Sequence, residues 1–343
     1  MNKEQLKKTK IGHFATKIVK LVRIIIHPIE YIKKQIPLYL KKQRKKNLFA
    51  SQFIFEDRSK QSENLILILA GFQEYYWDIV FNRVLDNCND FQESIDVCVC
   101  VPQGENKCVP PHIEEYCEKN GWSLLYIYED LLAQAQNTAI KLHPQAKWIF
   151  KIDEDIILSK NYFQKLKDGY LLAEKELFAQ IGFVSPLINL NAACVLHYLQ
   201  SIEKIDEMHE KFGDVKIRFP KLEGDPIHRS EDFAKWLWSV SLPFDNVANE
   251  IERVNKNKIF QANVRISIGA ILFTRDYWEE INYFDVATSG AKGVEEVQMN
   301  EHSFNNMQAI AIIGDTFVGH LGFYSQKQAC KQIFENNIQM FYS

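Results

Sequence analysis

The chain has 343 residues, 46% hydrophobic and 25% charged, which fits one large α/β domain with extras or two smaller domains. Its net charge of −3 hides an asymmetry: residues 1–60 hold 16 Lys/Arg against four acids, and the remainder holds 25 against 40. A basic head suits an anionic surface, and an acidic body argues against nucleic-acid binding.

In the head, Ile11, Phe14, Ile18, Leu21, Val22 and Ile25 recur at three- and four-residue spacing. They predict an amphipathic helix from Ile11 to His27 with Lys17, Lys20 and Arg23 on the opposite face, ended by Pro28. With the second basic cluster, Lys41 to Lys46, residues 11–46 suit an anionic membrane surface; a helix packed on the body is the competing reading. No stretch approaches the ~18 uncharged apolar residues of a spanning helix. The interrupted run Ile18 to Ile26 does not read as a signal peptide. The expected location is therefore cytoplasmic, peripheral at the inner membrane face. Residues 47–62 read as a polar linker, giving an extension over 1–62 and a catalytic body over 63–343.

The body alternates strand and helix patterns. Apolar runs predict strands at Leu65–Ala70, Val97–Val101, Leu124–Tyr128, Trp148–Ile152, Ile181–Val184, Ile266–Thr274 and Ala309–Ile313. Helical patterns fall at Tyr76–Leu85, Pro111–Lys119, Leu131–Leu142, Asn161–Phe178 and Tyr277–Ile281. Unbroken apolar strands between helices predict a doubly wound, mostly parallel sheet. Residues 190–260 read as a helical insertion on the acceptor side, with Trp236, Trp238 and Phe244 as a sugar-stacking platform or as helix core. His228, Arg229 and Asp232 are weaker polar candidates. The Cys residues lack any C-x-x-C pair, which argues against a zinc ribbon; Cys98 and Cys100 should share one strand face as reduced, buried thiols.

The sharpest feature is Lys151-Ile152-Asp153-Glu154-Asp155. A buried strand runs straight into three acids, at the strand end where ligands bind open α/β sheets. Mutual repulsion there favours a bound cation, and two Asp at i and i+2 can converge on a hard metal, Mn²⁺ or Mg²⁺. A solvated acidic turn is the bland alternative.

These residues resemble the GT-A (Rossmann-like) glycosyltransferases, and the flanks are similar to family 2. The resemblance rests on Ala135-Gln136-Asn137-Thr138-Ala139, on Trp148 to Ile156, on Ser267 to Arg275 with Trp278 and Phe284-Asp285, and on Glu295-Glu296-Val297-Gln298. It covers roughly residues 64–189 and 262–322. The loop Ala70-Gly71-Phe72-Gln73-Glu74 departs from the family's Pro and Asn, and Gln103 to Asn106 departs from its Asp and Ser run.

The resemblance implies a metal-dependent sugar transfer from a nucleotide donor, UDP-sugar favoured, to a glycan or lipid-linked acceptor in polysaccharide or lipopolysaccharide synthesis. Asp155 would bind the metal directly. Asp153 would reach it through water or hold the ribose, with Glu154 turned away and His320 as a possible third ligand. Gly71, Phe72, Gln73, Asn137 and Asp153 would contact the donor. In an inverting enzyme the base would be Glu296, or alternatively Glu295, with only one of the two facing the cleft; a retaining one would need neither. The alternatives are a nucleotidyltransferase on a related sheet and a non-catalytic, membrane-tethered carbohydrate-binding protein.

Overall fold

In the computed structural model, residues 47–71, 73–102, 111–129, 131–191, 194–213, 226–287, 293–322 and 325–342 are described. The helix expected at 11–27, the basic cluster at 41–46, Phe72, the loop 103–106 and the side chain of His228 lie outside them. The body is one compact unit, Leu48–Ser343.

The chain enters through strand β1 (Phe53–Glu56) and then β2 (Asn64–Leu69). After a 3₁₀ turn (Glu74–Tyr76) come α1 (Trp77–Asp90), β3 (Asp96–Pro102), α2 (Pro111–Asn120), β4 (Ser123–Ile127), α3 (Leu132–Leu142) and β5 (Trp148–Asp153). Next are β6 (Ile156–Leu158), α4 (Tyr162–Glu176) and β7 (Ile181–Ile188). The insertion carries α5 (Cys194–Ser201), α6 (Ile205–Phe212), α7 (Pro226–Arg229), α8 (Glu231–Ser239), α9 (Phe244–Val254) and the short strand β8 (Ile259–Gln261). The chain closes with β9 (Ala270–Thr274), α10 (Arg275–Glu280), α11 (Val294–Asn305), β10 (Ala309–His320) and α12 (Gln326–Asn336).

The described strands all join one sheet, ordered β1-β4-β3-β2-β5-β9-β7-β10-β6, with β8 also on β10. Strands β4, β3, β2 and β5 are parallel neighbours, as are β7 and β10. The expected mixed α/β fold with a mostly parallel, helix-flanked sheet is therefore present. Its inner strands are buried throughout, as in β2 and β3, because helices cover both faces.

Four expectations need correction. Strand β9 runs antiparallel between β5 and β7; a doubly buried strand is apolar whichever way it points, so its sequence carries no direction. It also starts at Ala270, not Ile266. The polar linker over 47–62 is part of the body: β1 pairs antiparallel with β4, and the Ala50 amide donates to Thr138 Oγ1 at 2.9 Å. Strand β10 continues through a register shift between Ile313 and Phe317 as far as His320. Of the two readings of Trp236, Trp238 and Phe244, helix core is the one borne out: Trp238 and Phe244 are fully buried, Phe244 stacks on Phe317, and Trp236 Nε1 donates to Glu207.

Cys98 and Cys100 do share a face, their sulfurs 4.0 Å apart in the core. Among the described residues, no helix is long and apolar enough to cross a membrane.

Candidate active site

The carboxyl ends of β2 and β5 and the amino end of β9 meet on one edge of the sheet, because β9 is antiparallel. There the Asp153 amide donates to the Gly269 carbonyl at 2.8 Å. The pairing of β10 with β6 sets His320 opposite Ile156, and the Leu321 amide donates to the Asp155 carbonyl at 3.0 Å. The last strand therefore delivers His320 to the acidic turn.

These elements enclose a cleft of about 390 Å³. Its floor is Leu69, Lys151, Asp153, Glu154 and Asp155; Arg265, Ser267 to Gly269, Glu295, Glu296, His320, Gly322 and Lys327 form the walls. Two glycines shape it. Gly293 (φ +81°) turns the chain into α11 at the rim, and Gly322 (φ +99°) packs where a Cβ would lie 2.8 Å from Cys330 Sγ; both conformations are costly for other residues.

The three acids of the turn are handled differently. Glu154 is buried and faces the protein: its Oε2 accepts from the Gly71 amide at 2.8 Å and from Trp77 Nε1 at 2.7 Å. It thus fastens the loop after β2 and the start of α1 to the turn. Asp153 accepts at Oδ1 from Lys151 Nζ at 2.6 Å, and that ammonium also donates to the Ile268 carbonyl at 2.7 Å. The Asp153 side chain keeps 35% of its surface open while Lys151 keeps 3%, so the carboxylate faces the cleft with the cation beneath it.

Asp155 is buried. Its Oδ2 accepts from Gln73 Nε2 at 2.7 Å and lies 3.5 Å from His320 Nε2. Burial would raise its pKa, but His320, Gln73 and Lys327 outweigh burial and hold it at about 2. Burial would lower His320, yet the Asp155 carboxylate keeps it above its ordinary value. Asp153 is pushed up by desolvation and by Asp155, against the pull of Lys151.

Glu295 and Glu296 occupy the first turn of α11, and both line the cleft, where only one was expected to. Glu296 Oε1 accepts from Arg265 Nη2 and Nε at 2.5 and 2.8 Å. Glu295 is buried, and desolvation raises its pKa although Lys151 pulls it down. The two acids therefore sit in different surroundings: Glu296 is tied to a guanidinium, and burial raises the Glu295 carboxyl.

The donor role expected of Asn137 does not survive. The side chain is fully buried. It donates to the Leu48 and Phe284 carbonyls and accepts from Trp278 Nε1 and the Phe284 amide, all at 2.9 Å. Every hydrogen-bonding site is used inside the protein, so Asn137 ties the entry of the body to the Phe284 loop. Gly71 donates its amide to Glu154, and Gln73 lines the cleft with its amide group committed to Asp155.

Lys151, Arg265 and Lys327 are cleft cations that were not singled out from the sequence. Lys151 carried a signal: two residues before Asp153 on one strand, it must share that residue's face. Lys327 carried none, since its place depends on how α12 folds back.

Among the described residues, no three His, Cys, Asp or Glu side chains cluster tightly enough to hold a metal alone. Asp155 and His320 make a pair, with Asp153 beside them. An ionised, half-committed carboxylate next to an imidazole in an acidic cleft still fits a hard divalent cation that takes its other ligands from water and phosphate.

No protein-family model matches the chain, and no curated protein matches it. Solved structures do. One is GalNAc-T7 with UDP, GalNAc and Mn²⁺, at 11% identity and a TM-score of 0.43, covering 81% of this chain and 48% of that one. A second is TarS 1-349 of S. aureus, at 9% identity and 0.40, covering 74% and 60%. A third is a mannosyltransferase of Pyrobaculum calidifontis with GDP-Man and Mn²⁺, at 11% and 0.42, covering 88% and 68%. The chain spans 48% and 60% of the first two structures' lengths.

Proposed function

We propose that the chain is a metal-dependent glycosyltransferase of inverting type, taking a nucleotide-diphosphate sugar, UDP-sugar favoured, to a glycan or lipid-linked hydroxyl in cell-surface polysaccharide synthesis. The observation that carries this reading is the convergence of Asp153, Asp155 and His320 in one cleft with the buried Glu295. Asp155 and His320 would hold the cation, with Asp153 reaching it through water. Bound there, it would offset the charge that grows on the departing diphosphate.

The protein's own groups account for the rest. Lys327 adds positive charge beside Asp155 for the diphosphate. As the bond from the anomeric carbon to the diphosphate oxygen breaks, the acceptor oxygen bonds to that carbon and its proton passes to Glu295. The raised pKa of that carboxyl favours its taking the proton. Arg265 occupies the Glu296 carboxylate through two hydrogen bonds, leaving the transfer to its neighbour.

The basic segment 11–46 would tether the enzyme to the anionic inner face of the membrane. Its charge and spacing support this, and removing residues 1–46 should release the protein from anionic vesicles while the body stays folded.

A thermal-shift panel of Mn²⁺ with sugar nucleotides tests the enzyme reading. A donor at about 100 times its Kd should add roughly 2.7 kcal/mol of stability. Asp155→Ala should lose that response and transfer activity. A wild-type protein indifferent to metal and every donor would instead be a scaffold.

A further inference from the structure

The acidic turn is braced from the loop after β2, and the brace ends at the surface. Gln73, itself buried, donates from Nε2 to Asp155 Oδ2 at 2.7 Å and accepts at Oε1 from the Tyr75 hydroxyl at 3.1 Å. This arrangement has only one sense. A carboxylate demands the amide's N–H, which turns the amide oxygen toward Tyr75, and a phenol hydroxyl can donate to it. Tyr75 in turn is held by its neighbours: its ring meets that of Tyr76 edge-on, with centroids 4.3 Å apart and planes at 61°, and Lys331 Nζ sits 4.5 Å above it. The backbone is fixed as well, since the Gln73 carbonyl accepts from the Tyr76 amide at 3.1 Å and Glu154 holds Gly71 and Trp77 on either side.

We propose that Gln73 is a positioning residue for Asp155, and that Tyr75 acts through it by locking the amide in the sense that donates to the carboxylate. The proposal rests on the reading of Asp155 as a metal ligand. It assigns Gln73 to the carboxylate instead of the nucleotide, where the family resemblance had put it. Oδ2 is shared between Gln73 and His320, so the carboxylate plane is set before any cation arrives. Fixing a ligating carboxylate in this way spares the cost of ordering it on binding, and outer partners of metal ligands typically govern affinity by about 10–100-fold.

The test is Mn²⁺ titration of the full chain followed by electron paramagnetic resonance of the free ion, with the metal alone as probe. Wild type, Asp155→Ala, Gln73→Ala, Tyr75→Phe and the Gln73→Ala/Tyr75→Phe double variant are compared. Gln73→Ala should weaken Mn²⁺ binding by about 10–100-fold, and Tyr75→Phe by a smaller factor. The double variant should match Gln73→Ala within about twofold, because Tyr75 has nothing left to act through. A merely structural Tyr75 would instead add its own loss to that of Gln73→Ala, which would overturn the relay.

If Gln73→Ala binds Mn²⁺ like wild type while Asp155→Ala does not, the positioning role is wrong and the metal site stands. If wild type and Asp155→Ala bind alike, the metal site is wrong and the proposal goes with it. Should Gln73→Ala fail to fold, Tyr75→Phe at a half-exposed rim position decides: unchanged Mn²⁺ affinity there overturns the relay.

Discussion

His320 Nε2 lies 3.5 Å from Asp155 Oδ2, because the antiparallel pairing of β10 with β6 brings the far end of the chain back to the acidic turn. The two side chains stabilise each other's charged forms, and this makes the metal-free protein sensitive to pH in a defined direction.

His320 is held above its usual 6.5 in the folded state. Its contribution to stability is therefore complete below that value and is lost as pH rises through the folded pKa. Asp155 is held at about 2 against an ordinary 3.8; its contribution is present above 3.8 and lost as pH falls toward 2. Melting temperature in EDTA should decline on the alkaline side, and His320→Gln should flatten that limb. Added Mn²⁺ must compete with the proton on His320, so its affinity should increase with pH across the same range. A flat alkaline limb in the wild type would refute the pairing.

At the acidic pair, Glu295→Gln should lower kcat by about 10²–10⁴-fold with little change in donor KM, as expected for loss of a general base. Glu296→Gln should cost far less in kcat and should loosen Arg265. Steady-state kinetics of both variants separates the roles; equal losses would contradict the assignment.

Glu154→Ala would strip the acceptor from the Gly71 amide and Trp77 Nε1. Each bare buried donor costs about 1–3 kcal/mol, so urea denaturation should show a loss of that order per donor. Glu154→Gln, which keeps a carbonyl acceptor, should recover part of it.

Asn137→Ala should destabilise the body by a comparable amount and leave donor KM near wild type, since its partners are Leu48, Phe284 and Trp278. A large rise in donor KM with unchanged stability would restore it to the donor site.

Much of this was written in local sequence. Unbroken apolar runs between helical patterns fixed where the inner strands lie, because a strand buried on both faces must be apolar at every position. The Lys-Ile-Asp-Glu-Asp run at the end of β5 marked the site, since acids directly after a buried strand sit at the sheet's ligand-binding edge. The tertiary structure decided what depends on distant partners. The direction of β9, the burial of Trp238 under the strand that ends at His320, and the conversion of Asn137 from donor contact to internal tie all follow from who packs against whom. So does the division of labour among the acids: Glu154 is taken by Trp77, Glu296 by Arg265 and Asp155 by Gln73 and His320. A carboxylate's neighbours across the fold set its charge and orientation, and no local pattern encodes them.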